Sequence, residues 1–291
     1  MNMADIYMLS YRANINVFQY PETLRRDNDE RRIILYDDHR TIINVIYAAM
    51  HEGLFGEETP NVISFDRHDD AVRLTPQKKQ QLKAVRKSCF PQRNDKRIWQ
   101  FTEFGLSVLD DDWVRAGMEL GLIKHYIGFG NKEEDAGNIE SGYEKYMALD
   151  RYEHHLYSNG HLDWEFGARG VISDNNYRYA QKHTDITNDL QFHNGQFDNS
   201  PVLPFVFDID LDCFSDIIED RRMAWPESIF IEHYLNNPRL SSFIRTLLAR
   251  SSMITICREP EFCGGIGESN RILELLDSYW FDGALKTQRI I

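Results

Sequence analysis

The sequence predicts an α/β fold built on a mainly parallel sheet, and three observations carry that prediction. Short apolar runs alternate with helix-like stretches, several of those runs end in acidic or histidine residues, and no repeat or Pro/Gly/Ser-rich linker interrupts the order. One domain over 1–291 is therefore expected. Arg32–Tyr36 (RIILY) reads as a buried strand, followed by Asp37, Asp38 and His39. Residues 41–50 then carry helical apolar spacing at Ile42, Ile43, Val45, Ile46 and Ala49. Asn61–Phe65 (NVISF) is the second strand, again ending in acids, and 77–87 is a helix. Residues 123–129 (IKHYIGF), 170–173, 202–207 and 252–257 (SMITIC) read as further strands, and 227–236, 241–251 and 268–281 as helices. Strands alternating with helices give a parallel sheet covered on both faces. Ligands bind such sheets at the carboxyl ends of the strands. The acids stand there, after Tyr36, Phe65 and Phe207.

Composition narrows the function classes. With 42% hydrophobic and 27% charged residues the chain is of ordinary globular type. No apolar run reaches the ~18–20 residues of a membrane span. The opening MNMADIYMLSYRAN has no basic stretch leading into an apolar segment, so no signal peptide and no membrane partner are expected. Cys89, Cys213, Cys257 and Cys263 form no CxxC pair, and a reduced, cytoplasmic setting fits them. The net charge of −13 repels a polyphosphate backbone. The one dense basic stretch, residues 78–97, reads as a solvated helix face and loop, so no nucleic-acid partner is expected. The acidic balance suits cationic ligands or metals. A homo-oligomer stays open.

Two clusters carry metal-ligand chemistry. The first is Asp66-Arg67-His68-Asp69-Asp70 and the second Asp208-Ile209-Asp210-Leu211-Asp212, each directly after an apolar run. In an extended chain alternate residues point the same way but lie ~6.5–7 Å apart. Asp66, His68 and Asp70 reach one ion only if the chain bends after Asp66; otherwise Asp66 stands between two ions. Buried carboxylates at strand ends are costly unless paired or metal-bound. His39 occupies a third matching position. Oxygen and imidazole donors without thiolate favour manganese or a similar divalent ion over structural zinc. The expected ligands are His39, Asp66, His68, Asp70, Asp208 and Asp210. The second cluster also allows the register Asp210/Asp212; Asp208/Asp210 is preferred because it directly follows the apolar run.

This order of motifs resembles the arginase/agmatinase ureohydrolases: Asp38-His39, then DxHxD at Asp66–Asp70, then DxD at Asp208–Asp210. It is more closely similar to a divergent branch of that superfamily that includes peptide arginases. FDRHDD, residues 109–113 (LDDDW), FDIDLDCF and residues 256–265 (ICREPEFCGG) carry that likeness, which spans residues 37–265. The resemblance implies a three-layer αβα arginase-like fold and two Mn2+ ions. His39, Asp66, Asp70 and Asp208 would hold one, and Asp66, His68, Asp208 and Asp210 the other. It also implies conversion of arginine side chains in a peptide, or of a small guanidino compound, to ornithine plus urea. Departures are Tyr36-Asp37 in place of a glycine pair, Arg67 in a small-residue slot, and the added Asp212.

On this reading Asp70 handles the nucleophile's proton and passes it to the leaving amine. A carboxylate holds the planar guanidinium; Glu261 is preferred and Glu259 is next. Trp113, with Asp112 beside it, would line the substrate channel or else anchor the core at a helix start. A competing reading is a haloacid-dehalogenase-type phosphohydrolase, in which Asp208 of VFDIDLD would be a nucleophile. Another is a non-catalytic metal- or peptide-binding protein on the same fold. His154, His155, His161, His183 and His193 stay unassigned; the Asn-, Tyr- and His-rich region 150–200 that holds them reads equally as an insertion shaping the substrate entrance or as surface decoration.

Overall fold

The computed structural model describes residues 15–25, 31–68, 70–72, 74–107, 109, 111–130, 152–158, 162–166, 192–193, 196–197, 204–218, 221–236 and 238–286. The strands are β1 (Asn16–Gln19), β2 (Arg32–Tyr36), β3 (Asn61–Phe65), β4 (His125–Gly130), β5 (Tyr152–Ser158), β6 (Leu162–Phe166), β7 (Phe192–His193), β8 (Gln196–Phe197), β9 (Phe205–Asp210), β10 (Ser215–Ile218), β11 (Arg221–Ala224) and β12 (Met253–Cys257). The helices are α1 (Ile42–His51), α2 (Pro76–Cys89), α3 (Asp95–Gly105), α4 (Trp113–Leu120), α5 (Glu227–Phe230), α6 (Pro238–Arg250), α7 (Pro260–Cys263) and α8 (Ile266–Tyr279).

Eight strands form one sheet in the order β1-β2-β12-β9-β3-β4-β5-β6. Its five central strands, β2, β12, β9, β3 and β4, run parallel. β1 closes one edge antiparallel, and β5 and β6 close the other. The architecture is thus α/β with a mixed, mostly parallel sheet.

Strand alternation sorts the core into two layers. Ile33, Ile63, Phe65, Phe205, Phe207 and Ile254 face α6 and α8, packing with Leu247, Leu248, Ile272 and Leu276. Ile34, Tyr36, Val62, Val206 and Met253 face the other way, against residues of α1, α2 and α4. Burying each such side chain stabilises the fold by ~1.5–3 kcal/mol. The first face is apolar along these strands. The second also carries the buried polar residues Ser64, Asp208, Asp210 and Thr255. The buried polar residues thus gather on the α1–α4 side, toward the carboxyl ends of the strands.

Several expected elements move. The strand expected at 202–207 is Phe205–Asp210, so Asp208 and Asp210 belong to the ladder itself rather than to a loop. Hydroxyls on both neighbouring strands make this tolerable: Ser64 and Thr255 are the register partners of Asp208. The helix expected at 227–236 is α5 followed by a π turn, Ile231–Leu235. Residues 170–173 lie outside the described residues, as do His161 and His183. No helix among the described residues is long and apolar enough to cross a membrane.

The turn after β12 depends on a close backbone approach. Gly264 has φ 93°, and a Cβ there would lie 2.0 Å from the carbonyl oxygen of Arg222 on β11. Gly264→Ala is therefore expected to destabilise the protein by about 1–3 kcal/mol, through left-handed strain and overpacking. Urea unfolding monitored by tryptophan fluorescence would measure the loss; an unchanged midpoint would refute the contact.

Candidate metal centre

Four neighbouring parallel strands deliver carboxylates and imidazoles to one place. After β2 the chain passes Asp37 and Asp38 into a single 3-10 turn, His39–Thr41, that leads into α1 and buries His39. After β3 come Asp66, Arg67, His68 and Asp70. β9 contributes Asp208 and Asp210, and the 3-10 turn Leu211–Phe214 adds Asp212. β12 ends at Cys257, with Glu259 just beyond.

The chain does bend after Asp66. Asp66 Oδ1 accepts the backbone N–H of His68 at 2.7 Å. Asp210 repeats the device, accepting the N–H of Asp212 at 3.2 Å, and Asp212 Oδ1 accepts the N–H of Arg67 at 3.2 Å. Each carboxylate thus spends one oxygen on the backbone and turns the other inward. The inward oxygens, Oδ2 of Asp66, Asp210 and Asp212, are buried and accept no hydrogen bond. They nonetheless lie close to imidazole nitrogens. His39 Nδ1 is 3.5 Å from Asp66 Oδ2, 3.3 Å from Asp210 Oδ2 and 2.9 Å from Asp70 Oδ2. His68 Nδ1 is 3.0 Å from Asp212 Oδ2. Imidazole and carboxylate atoms this close to one another are compatible with ligands that share a cation. Donor atoms of His39, Asp66 and Asp210 lie within 4.8 Å of one another, as do those of Asp66, His68 and Asp212, and those of Asp210, Asp212 and Glu259. These buried groups could hold metal ions, and Asp66 is common to the first two.

Asp208 does something else. Its Oδ2 receives Ser64 Oγ at 2.7 Å and lies 2.9 Å from His39 Nε2, and its Oδ1 receives Thr255 Oγ1 at 2.6 Å and Tyr36 OH at 3.3 Å. With a carboxylate as partner, Nε2 carries the proton and Nδ1 is left to face the acids.

The electrostatics describe a site short of positive charge. Burial, then the charges of Asp70 and Asp210, push the Asp66 carboxyl well above its usual range. Burial and Asp212 raise Asp210 to about 7. Burial and Asp210 push Glu259 well up. Burial would also raise Asp208, but His39 and the two hydroxyls outweigh it and hold that carboxylate below its usual range. Burial would lower His68, yet the Asp212 carboxylate, 3.0 Å from its Nδ1, outweighs that and raises it to about 9. Cations at these positions would relieve the repulsion and displace those protons.

The structure brings His39, Asp66, His68, Asp70 and Asp210 together. It turns both oxygens of Asp208, expected as a bridging ligand, away into hydrogen bonds, and it brings Asp212 to the cluster, which favours the Asp210/Asp212 register. Glu261, the first choice for a guanidinium partner, is exposed on α7, because the left-handed turn at Glu259 (φ 32°) ends the strand alternation. Glu259 is 5% exposed and faces the cluster. Trp113 lines no channel among the described residues: it is fully buried, its ring lies 4.7 Å from that of His39, and its Nε1 donates to Asp70 Oδ2 at 2.5 Å. Asp112 is held by Lys78 and by the N–H of Ser107. Sequence reasoning also missed Tyr36, Ser64 and Thr255, whose polar groups gave no local signal. No protein-family model matches the chain, and no curated protein matches it significantly.

Two outcomes are expected in titration calorimetry with Mn2+. A cation must displace the His68 proton, which competes below pH 9, so affinity should rise about tenfold per pH unit for each proton displaced and flatten above that. Asp208→Asn should weaken binding ~10–100-fold by loosening His39, whereas Asp210→Asn should abolish it. Equal losses in the two variants would refute the separate roles.

Proposed function

We propose that this chain is a binuclear-metal hydrolase with an arginase-like fold, acting on a guanidino group, with arginine side chains in a peptide as its substrate class. One observation carries this reading. Three buried carboxylate oxygens that accept no hydrogen bond, on Asp66, Asp210 and Asp212, converge with His39 and His68 at the carboxyl edge of a parallel sheet. The donor set suits hard to borderline divalent ions, manganese first. His39, Asp66, Asp70 and Asp210 would hold one ion; Asp66, His68 and Asp212, with Asp210 beside them, would hold the other. When bound, the pair would supply water ionised near neutral pH and a positive field at the attacked carbon.

The chain's own residues do the rest. Glu259 stands next to Asp210 and Asp212, so the centre keeps a surplus of negative charge that a cationic group can neutralise. Its carboxylate pairs with the planar guanidinium through two parallel N–H···O bonds. Asp70 holds a proton drawn from the attacking water and returns it to the leaving amine, and ornithine and urea result. Trp113 fixes Asp70 for that task through its indole N–H. The cluster opens to solvent at His68, whose side chain is 38% exposed and whose ring lies 5.7 Å from that of Phe262.

The phosphohydrolase reading needs Asp208 as a nucleophile. Both of its oxygens are engaged and the residue is fully buried, which disfavours attack.

Elemental analysis of the purified protein followed by mass spectrometry of arginine-containing peptides tests the proposal. Manganese content and a loss of about 42 Da per arginine, as expected when a metal-activated water releases urea, would support it. A protein that binds divalent ions but turns over no guanidino compound would favour the non-catalytic reading. Glu259→Gln should retain the metals and raise KM at least about tenfold, since a charged hydrogen-bonding partner is lost. Loss of metal instead would refute its assignment to substrate.

A further inference from the structure

The groups that share Asp66 contain only oxygen and imidazole donors. Beside them stands a group of another chemical kind. Donor atoms of His39, Cys257 and Glu259 lie within 4.8 Å of one another, and all three residues are buried. Cys257 is the last residue of β12, in register with Tyr36 of β2 and Asp210 of β9, and it packs on the α1–α4 side of the sheet. Along a straight strand its Sγ and the carboxylate two residues later would stand ~6.5–7 Å apart. The left-handed conformation of Glu259 closes that gap. Arg258, between them, is drawn to Asp37, with Nε 2.5 Å from Oδ1. A buried oxygen of Asp210 that accepts no hydrogen bond borders the group, 3.3 Å from His39 Nδ1.

We propose that His39, Cys257 and Glu259 form a site for one thiophilic divalent cation, of the zinc or cadmium class, which competes for His39 with the oxygen-liganded cations. Thiolate selects soft ions, and an oxygen-rich set selects hard ones. Three donors, one each of nitrogen, sulfur and oxygen, leave a fourth tetrahedral position for water. The thiol proton passes to solvent as the sulfur–metal bond forms. His39 serves only one ion at a time: Nε2 is engaged with Asp208, so Nδ1 alone remains for a cation. A soft ion here therefore removes a ligand from the neighbouring hard site. The inference needs the metal centre but not the guanidino chemistry.

The test is a Cd2+ titration of the metal-stripped full chain, following the ultraviolet sulfur-to-cadmium charge-transfer band. The band is expected to saturate at one equivalent, to vanish in Cys257→Ser and to persist in Cys213→Ser and Cys263→Ser. Excess Mn2+ should suppress it in the wild-type protein, and Cd2+ should release bound Mn2+, read by the electron paramagnetic resonance of the free ion. Absence of the band, its survival in Cys257→Ser, or joint binding of Cd2+ and Mn2+ without displacement would overturn the proposal. The competition arm uses the wild-type chain, so a misfolded variant does not remove the test. Failure of the guanidino reading would appear separately, in the peptide masses.

Discussion

The contact between Asp208 and His39 is the constraint on which the rest of the centre depends. Asp208 lies in the middle of the sheet, with Ser64 and Thr255 as its register partners on either side. Both hydroxyls donate to it, and it holds His39 Nε2 at 2.9 Å. A carboxylate buried this deeply is tolerable only when its lone pairs are filled. Filling them ties three strands and the start of α1 to a single side chain. It also selects the imidazole tautomer, since a proton on Nε2 leaves Nδ1 to meet Asp66, Asp70 and Asp210. The orientation of His39 is therefore set from below the site by the sheet, not by a ligand above it.

Above that rung the balance reverses. Asp66, Asp70, Asp210, Asp212 and Glu259 are all buried within a small volume. Two unit charges 4 Å apart repel by about 4 kcal/mol at an effective dielectric of 20. Several such pairs, with oxygens that accept no hydrogen bond, would cost the fold a large part of its margin. Without cations, burial and mutual repulsion push the carboxyls of Asp66, Asp210 and Glu259 upward, toward their protonated forms. Binding of a cation there would be coupled to proton release. The two apolar layers on either side of the sheet are what keep the cluster in place while it is uncompensated.

Much of this was legible in the chain. β2 and β3 match their expected bounds because RIILY and NVISF are apolar runs that lead directly into acids. The DxHxD motif and His39 point to the site because such residues rarely follow buried strands without a task. Other features had no local signature. The end of β9 could not be read, because the hydroxyls that keep Asp208 in the ladder come from strands far away in sequence. The choice between Glu259 and Glu261 turns on one backbone dihedral. Trp113 looks the same in sequence whether its indole lines a channel or anchors Asp70. The antiparallel edge, β5 and β6, falls in a polar region without the apolar runs that mark the central strands.

Three segments solve one geometric problem in different ways. Same-side residues in a strand stand ~6.5–7 Å apart, too far for donors around one cation. After β3 the chain turns on the Asp66 side chain and then adopts φ 45° at Asp70. After β9 it enters a 3-10 turn capped by Asp210. After β12 it takes φ 32° at Glu259. Positive φ at a residue other than glycine costs ~1–3 kcal/mol and persists only where neighbours enforce it. Here the neighbours are backbone groups of other elements: the N–H of Val114 donates to the Asp70 carbonyl at 3.3 Å, and the N–H of Glu259 donates to the Asp37 carbonyl at 3.2 Å. Because main-chain contacts hold these two bends, the Asp70 and Glu259 carboxylates are not consumed in making them. The geometry of these side chains is preformed by the fold, so a cation that bound there would spend little of its binding energy on ordering the chain.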